Sequence, residues 1–360
     1  MLNWITRYWK VLLLGGIPIA VALEFLSPER QTAIFLTSAI AILPLAAYIG
    51  HATEELATRF GPGIGGLLNA TFGNAAELII GVLALRRGLT DLVKASLTGS
   101  IIGNILLVFG LCAVVGGMRH PVLRFNRTAA SLGTTMLLLS VIGLTVPAVF
   151  HQLARNSGRA PELKLDTEIA IVLMLTYCAS LAFTLKTHRH LSGVPAAEHT
   201  SGGSIWPALG MLIGATAGVA WMSELLVGAL SPAARALGMS DLFVGVVVIA
   251  IIGNAAEHFS AVLMAARDQM DAAIAITVGS STQIALFVAP VLVFASYAIA
   301  PAPMDLLFTE FEVVAVALAV LAITFIAHDG ETHWMEGVQL LAVYTILALG
   351  FYFLPASPNG

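Results

Sequence analysis

The sequence Gly73-Asn74-Ala75-Ala76-Glu77 occurs twice in this chain, and its second copy is Gly253-Asn254-Ala255-Ala256-Glu257. The copies lie 180 residues apart, and the similarity continues beyond them without a gap. The further matches are Val82-Leu83 with Val262-Leu263, Arg87 with Arg267, Asp91 with Asp271, Ala95 with Ala275, and Gly99-Ser100 with Gly279-Ser280. Scattered alanine and leucine matches are expected between apolar segments, but a five-residue block containing a glutamate is not. The sequence therefore predicts an internal repeat.

The composition is that of a membrane protein. Of 360 residues, 58% are hydrophobic and only 11% are charged, whereas soluble domains carry about 25% charged residues. This excludes a disordered chain, a nucleic-acid-binding protein and an ordinary soluble domain. Cys112 and Cys178 lie in apolar runs outside any CxxC motif, so neither a disulfide framework nor a zinc site is expected.

Apolar stretches of about membrane length follow one another along the whole chain. We identify eleven, at residues 9–26, 31–50, 63–85, 92–116, 128–150, 167–185, 205–230, 242–266, 272–298, 306–327 and 335–354. Continuous stretches of about 20 apolar residues without alternation predict helices rather than barrel strands. We therefore expect an all-α polytopic membrane protein with about eleven transmembrane helices.

The position of the repeat predicts how these helices are arranged. The two copies lie five stretches apart, and because five is odd the second copy crosses the membrane in the opposite direction. We expect an N-terminal helix in residues 1–30, inverted five-helix repeats in 31–185 and 205–360, and a linker over 186–204. Such inverted repeats are typical of secondary transporters, whose substrate sites lie near the midplane between the repeats.

Glu77 and Glu257 are the main candidate site residues, because each lies inside a predicted span. A carboxylate at membrane depth costs about 2.5–3.5 kcal/mol on insertion scales, so it is functional by default. The alternative is a neutral glutamic acid bonded to a neighbouring helix. The same costly residue in both copies of one motif favours a functional site.

The residues just before each glutamate suit a hard cation. Gly73 and Gly253 permit close approach or local unwinding, which would free backbone carbonyls, and Asn74 and Asn254 supply amide oxygens. Carboxylate, amide and carbonyl oxygens are the ligands of Ca²⁺, and Mg²⁺ gives up its water reluctantly. Because one divalent ion nearly neutralises two glutamates, the charge favours Ca²⁺ over Na⁺ as substrate. Ordinary small-residue helix packing is the alternative for the Gly-Asn pairs.

Further polar residues are candidates for supporting roles. Ser100, Asn104, Ser280 and Gln283 could complete the cation's shell or hold the glutamates, although hydrogen bonding between helices is an equally good interpretation. His258 could relay protons, but it points roughly 100° away from Glu257 on a helix, and a satisfied buried histidine is the alternative. Three further acids lie on helices that are equivalent in the two halves, and they could line an access path for the cation. The alternative is that they lie at solvated helix ends; they are Glu54, Glu55 and Glu224.

Several motifs are missing from the sequence. There is no GxxxxGK[ST], HExxH or GxSxG, so nothing predicts a nucleotide-driven pump or an enzyme. Movement must then be powered by a second ion. We expect no cofactor, with the lipid bilayer and the transported ions as partners, neither nucleic acid nor nucleotide, and we allow for a homo-oligomer.

The doubled motif resembles the paired repeat signatures of the calcium/proton antiporters, a branch of the cation/calcium exchanger superfamily. Residues 94–100, 279–286 and 329–337 share the resemblance, which extends over nearly the whole chain. It implies eleven helices, a cytoplasmic N-terminus, a Ca²⁺ site on Glu77 and Glu257, and H⁺ competing for the same carboxylates. It further implies that Glu54 or Glu55 and Glu224 guide the cation and that His258 and Gln283 matter.

Two expectations follow from this resemblance. The chain would export Ca²⁺ in exchange for H⁺ by alternating access, and a Na⁺/Ca²⁺ exchanger of the same superfamily is the alternative. The compact length of 360 residues, for its part, indicates a prokaryotic inner membrane. Family members often carry an acidic segment between the halves, whereas residues 186–204 hold Glu198 as their one acid. A calcium-sensing role for the linker is therefore in doubt.

Overall fold

A computed structural model describes residues 10, 12–153, 159–187 and 204–354. Residues 188–203, most of the predicted linker, lie outside the described residues. The first half contains seven described helices: α1 Gly16–Leu26, α2 Gln31–Phe72, α3 Ala75–Arg86, α4 Thr90–Ile102, α5 Phe109–Gly117, α6 Arg127–Leu153 and α7 Arg159–Ala182. A π-helical segment, Gly103–Val108, joins α4 to α5, and a second one, Phe183–Thr187, follows α7.

The second half contains eight described helices. Its helices are α8 Trp206–Ala236, α9 Asp241–Phe243, α10 Ala250–Gly253, α11 Ala255–Ala266, α12 Met270–Gln283, α13 Ala289–Ile299, α14 Glu310–Ala327 and α15 Trp334–Phe353. The π-helical segments Val244–Ile249 and Ile284–Val288 join α9 to α10 and α12 to α13. Two short strands, β1 Leu123–Arg124 and β2 Glu331–Thr332, form an antiparallel pair with Leu123 opposite Thr332.

The chain is a helical membrane protein, as the apolar stretches predict. Within the described residues, eight helices are long and apolar enough to span a membrane, and a ninth is added if the pair Asp241–Gly253 and Ala255–Ala266, bent by 62°, is one span. The expected count of eleven is not confirmed. The first predicted stretch forms a shorter apolar helix, Leu12–Leu26, and the third is interrupted between α2 and α3.

Both interruptions fall on the repeated asparagine. Asn74 and Asn254 leave helical geometry, with φ of −101° and −94° and ψ of 21° and 5°, and each is the N-cap of the helix that follows it. Neither side chain makes a capping hydrogen bond, so it is the backbone conformation of the same residue that divides the corresponding span in each half. When the π-helical segment Gly103–Val108 is shifted by the repeat offset of 180 residues, it covers the π-helical segment Ile284–Val288. This match supports a repeated architecture.

Contacts define two opposite ends of the helix bundle. At the first, here named the Arg87 end, residues 87–91 lie near 300–307; the Lys94 ammonium is 2.9 Å from the Asp305 carboxylate. At the second, the Arg267 end, residues 117–126 meet 265–271, and Arg119 donates to the Ala266 carbonyl at 2.8 Å. The two broken spans therefore bring their repeated asparagines to the middle of the bundle, between these ends.

Candidate functional site

Glu77 and Glu257 each lie in the first turn of a helix that begins inside the bundle, namely α3 and α11. A helix N-terminus presents unpaired backbone N–H groups and a partial positive charge, which stabilises a nearby carboxylate. The helix break that Asn74 and Asn254 impose thus creates two such N-termini at equivalent places. Discontinuous helices of this kind form the ion sites of secondary transporters.

The two motifs pack against each other through their glycines. A Cβ built on Gly253 would lie 3.0 Å from the Glu77 Oε1 atom, and a Cβ built on Gly73 would lie 3.5 Å from the Glu257 Oε1 atom. Each carboxylate therefore lies over the glycine of the other motif. Gly73 has φ of −57°, an ordinary right-handed value, so it does not serve a left-handed backbone. The closer approach is at Gly253, where a side chain would crowd the Glu77 carboxylate.

One oxygen of each glutamate is left free by this packing. The Oε2 atoms of Glu77 and Glu257 are buried and have no hydrogen-bond partner among the described residues. A cavity of about 10 Å³, lined by Glu77, Ser96, Ser100 and Gly253 among others, lies beside the first carboxylate. That is about the room one water molecule needs. Buried carboxylate oxygens without partners are costly, and a cation or a proton would satisfy them.

The asparagines of the two motifs form hydrogen bonds between the halves. Asn74 donates from Nδ2 to the Gln283 Oε1 atom at 2.6 Å. Asn254 donates from Nδ2 to the Ser100 Oγ atom at 2.8 Å and to the Ala250 carbonyl at 2.9 Å. The predicted supporting residues are thus brought together, and they connect the first repeat to the second.

Asn104, in the π-helical segment Gly103–Val108, continues this network. Its Nδ2 atom donates to Ser280 Oγ at 3.1 Å and to Asn254 Oδ1 at 3.4 Å. His258 Nε2 lies 2.9 Å from Asn104 Oδ1, and because an amide oxygen only accepts, the histidine carries a proton on Nε2. His258 therefore faces the amide network and not the Glu257 carboxylate, in agreement with its helical position.

The three predicted access acids lie outside the central pair. Glu224 pairs with Arg87, whose Nη2 atom is 2.5 Å from its Oε1 atom. Glu55 pairs with Arg59 on its own helix at 2.8 Å, and Glu54 is exposed. Glu224 lies at the Arg87 end. Their role in guiding a cation remains a prediction.

Sequence reasoning missed the ion pair of Arg87 with Glu224. Arg87 follows α3 and Glu224 lies on α8, where a Cβ on Gly228 would lie 3.0 Å from the guanidinium, and both side chains of the pair are well exposed. The signal was present, because Arg87 and Arg267 match at the repeat offset. In the part of the chain that the structure describes, no cluster of three or more His, Cys, Asp or Glu side chains could hold a metal ion. The site therefore offers two carboxylates and several neutral oxygens.

Comparison with known proteins agrees with this architecture. Residues 30–186 and 207–353 match the sodium/calcium exchanger protein family, one segment in each half. A Ca²⁺/H⁺ antiporter of Synechocystis is 44% identical, with 96% of this chain and 97% of the relative covered. The structure of native YfkE is 42% identical with a TM-score of 0.83, and the comparison covers 96% of this chain and 99% of that one.

A more distant solved structure extends the likeness of fold. The H⁺/Ca²⁺ exchanger CAX is 14% identical with a TM-score of 0.70, and 96% of this chain and 92% of that one are covered. The Synechocystis relative is named as an antiporter and not as an enzyme. Since the family match covers both halves and the Synechocystis relative aligns along nearly the whole length, this chain belongs to the sodium/calcium exchanger protein family.

Proposed function

We propose that this protein is a secondary antiporter that exports Ca²⁺ in exchange for H⁺ by alternating access. Glu77 and Glu257 bind either one Ca²⁺ ion or protons, and the amide network positions them. The names of the relatives support the choice of ions, since the Synechocystis protein is a Ca²⁺/H⁺ antiporter. The bacterial source of the Synechocystis relative also supports an inner-membrane location, for which we propose a cytoplasmic N-terminus.

The observation that carries the proposal is the pair of buried Oε2 atoms without hydrogen-bond partners. Two ionised carboxylates hold two negative charges, which one Ca²⁺ ion neutralises. Protons neutralise the same charges, so the two ligands exclude each other. The neutral oxygens of the surrounding amides and hydroxyls suit Ca²⁺, which takes six to eight oxygen ligands.

Exchange follows if the neutralised site moves between the two sides more readily than the charged one. A bare pair of carboxylates within the membrane is strongly disfavoured, so the empty, charged site crosses rarely. Protons entering down their gradient therefore displace Ca²⁺ and allow the return step. Each ligand acts through its differential affinity for the two states.

The proposal is tested with purified protein in liposomes that contain a Ca²⁺-sensitive dye. One batch receives a pH gradient, and another receives a Na⁺ gradient at equal pH. We expect Ca²⁺ flux with the pH gradient alone. Flux with the Na⁺ gradient alone would instead assign the protein to Na⁺/Ca²⁺ exchange, and no flux with either gradient would refute ion exchange altogether.

Substitutions test the assignment of the site. Glu77→Gln and Glu257→Gln each remove one charge with little change of shape, and each should abolish Ca²⁺ flux. Glu168→Gln is the matched control, because Glu168 has a side chain 62% exposed beside Lys164 and should leave flux unchanged. Retained flux in both site variants would refute the assignment of these two glutamates.

A further inference from the structure

The hydrogen bonds of the amide network run in one direction, and a backbone carbonyl sets that direction. The Ala250 carbonyl can only accept, so the Asn254 atom 2.9 Å from it is the donor Nδ2. The second hydrogen of this amide goes to the Ser100 Oγ atom at 2.8 Å. The Asn254 Oδ1 atom is thereby turned toward Asn104, whose Nδ2 atom donates to it at 3.4 Å. Reversing the Asn254 amide would place its oxygen against the carbonyl oxygen.

The orientation of Asn104 is fixed in turn. Its Nδ2 atom has two hydrogens, and they go to Asn254 Oδ1 and to Ser280 Oγ, the latter at 3.1 Å. Its Oδ1 atom accepts from His258 Nε2 at 2.9 Å. A reversed Asn104 amide would bring two amide oxygens together. Both asparagines are buried, so bulk water does not compete with this arrangement.

The two serines at the ends of the network therefore both act as acceptors. Ser100 and Ser280 match at the repeat offset, and each receives an amide hydrogen from an asparagine. Neighbouring hydroxyls donate to a carbonyl of their own helix, Ser96 at 2.8 Å and Ser281 at 2.9 Å. Among the described residues, no such bond is made by Ser100 or Ser280. Each of these two serines thus has its hydroxyl hydrogen left for another acceptor.

The remaining hydrogens face the two glutamates. The Ser280 hydroxyl lies within hydrogen-bonding reach of the Glu257 carboxylate. Because the Glu257 Oε2 atom has no partner among the described residues, this donor acts on Oε1 and leaves Oε2 free. Ser100 and Glu77 both line the cavity of about 10 Å³, which has room for one water molecule between them. Hydrogen bonds to a carboxylate are among the strong ones in proteins.

We propose that Asn104 and Ser280 are positioning residues and not cation ligands. The network anchored on the Ala250 carbonyl holds the Ser280 hydroxyl as a fixed donor to Glu257, so that one oxygen of the carboxylate is held and the other faces the ion. The inference rests on the proposed function and adds how the carboxylate is held for Ca²⁺. The Asn104 oxygen is already occupied by His258, and its nitrogen has no lone pair to offer an ion.

The substitution Asn104→Asp separates the two roles, because the side chains have the same shape but a carboxylate cannot donate. The new carboxylate would accept the Ser280 hydroxyl and take it away from Glu257. Ca²⁺ binding, measured by calorimetric titration of the full chain in detergent, should weaken about tenfold or more, the range of a hydrogen bond to a charged group. If Asn104 were a ligand, an added negative oxygen would keep or strengthen Ca²⁺ binding, and that result would overturn the proposal.

Asn126→Asp is the matched control. Asn126 lies at the Arg267 end, and its Oδ1 atom accepts from the Ala129 N–H at 3.0 Å, which an aspartate can also do. This variant adds the same charge away from the network and should bind Ca²⁺ like the parent protein. An equal loss in Asn126→Asp would assign the effect to the added charge and overturn the proposal.

Substitutions of Ser280 test whether Asn104 acts through this hydroxyl. Ser280→Ala should weaken Ca²⁺ binding to a similar extent, whereas Ser280→Thr keeps a hydroxyl and should restore most of it. In the Ser280→Ala background, Asn104→Asp should have little further effect, because the path between Asn104 and Glu257 is already interrupted. Additive losses, or equal losses in Ser280→Thr and Ser280→Ala, would refute the proposal. Melting temperatures near that of the parent identify the variants that are folded.

These measurements separate the inference from the proposed function, because calorimetry reports Ca²⁺ binding without a coupling ion. If the variants behave as expected but only a Na⁺ gradient drives Ca²⁺ flux by the parent protein, the positioning role stands and the assigned counter-ion is wrong. If the parent exchanges Ca²⁺ for H⁺ but Asn104→Asp binds Ca²⁺ as tightly as the parent, the positioning role is refuted and the antiport stands.

Discussion

The packing of Glu77 on Gly253 gives a quantitative prediction for the substitution Gly253→Ala. The added methyl group would lie 3.0 Å from the Glu77 Oε1 atom and 3.3 Å from its Cδ atom. Ordinary contacts of this kind begin near 3.4 Å, so the carboxylate must move by a few tenths of an ångström. Overpacking of this size costs about 1–3 kcal/mol.

If Ca²⁺ requires the carboxylate in its present position, that cost appears as lost affinity. With about 1.4 kcal/mol for each factor of ten, Ca²⁺ binding should weaken between about 5-fold and about 150-fold. The assay is the Ca²⁺ concentration for half-maximal flux at fixed pH, supported by calorimetric titration in detergent. Gly214→Ala, which places its methyl group in open space, should leave this concentration unchanged.

Two results would contradict the reasoning about Gly253. An unchanged Ca²⁺ affinity in folded Gly253→Ala would show that the Glu77 carboxylate does not need its place over this glycine. An equal loss of affinity in Gly214→Ala would show that any added methyl group impairs the protein, so the effect would not belong to the site.

Two further predictions concern stability and pH. Lys94→Met should lower the melting temperature in detergent clearly more than Arg124→Met does. Lys94 is 8% exposed and donates hydrogen bonds to Asp305 and the Leu307 carbonyl, and breaking a buried ion pair costs about 3–5 kcal/mol. The Arg124 side chain, in contrast, is 79% exposed in its ion pair. Equal shifts of the melting temperature in the two variants would contradict this prediction. The Ca²⁺ concentration for half-maximal flux should fall as pH rises, because protons leave the carboxylates that bind the ion, and a flat profile would contradict competition.

The central glutamates could be predicted from the sequence because the chain places them in two copies of one motif. A single glutamate in an apolar run has several interpretations, but Glu77 and Glu257 share their neighbours and their offset. The contact of each carboxylate with the glycine of the opposite motif could not be predicted. It depends on the distance between helices five spans apart, which no local pattern encodes. The ligand assignment of Gly73 and Gly253 likewise remains untested, although their close approach to the carboxylates is clear.

The fold was predicted best where apolar length alone decides it. Apolar runs identify the long helices, but they do not reveal the interruptions at Asn74 and Asn254, because one polar residue barely changes the hydropathy of a long window. The π-helical segments Gly103–Val108 and Ile284–Val288 are hidden for a related reason, since their residues are as apolar as those of the adjoining helices. The pairing of β1 with β2 involves two residues on each side, too few for a sequence signal.

The repeat also explains why a symmetric sequence adopts an asymmetric structure. Ala95 and Gly99 have the same identities as Ala275 and Gly279, yet the first pair is buried and the second is not. Intrinsic preferences of these residues cannot produce the difference, because they are the same in both halves. The difference must come from the relative positions of the halves.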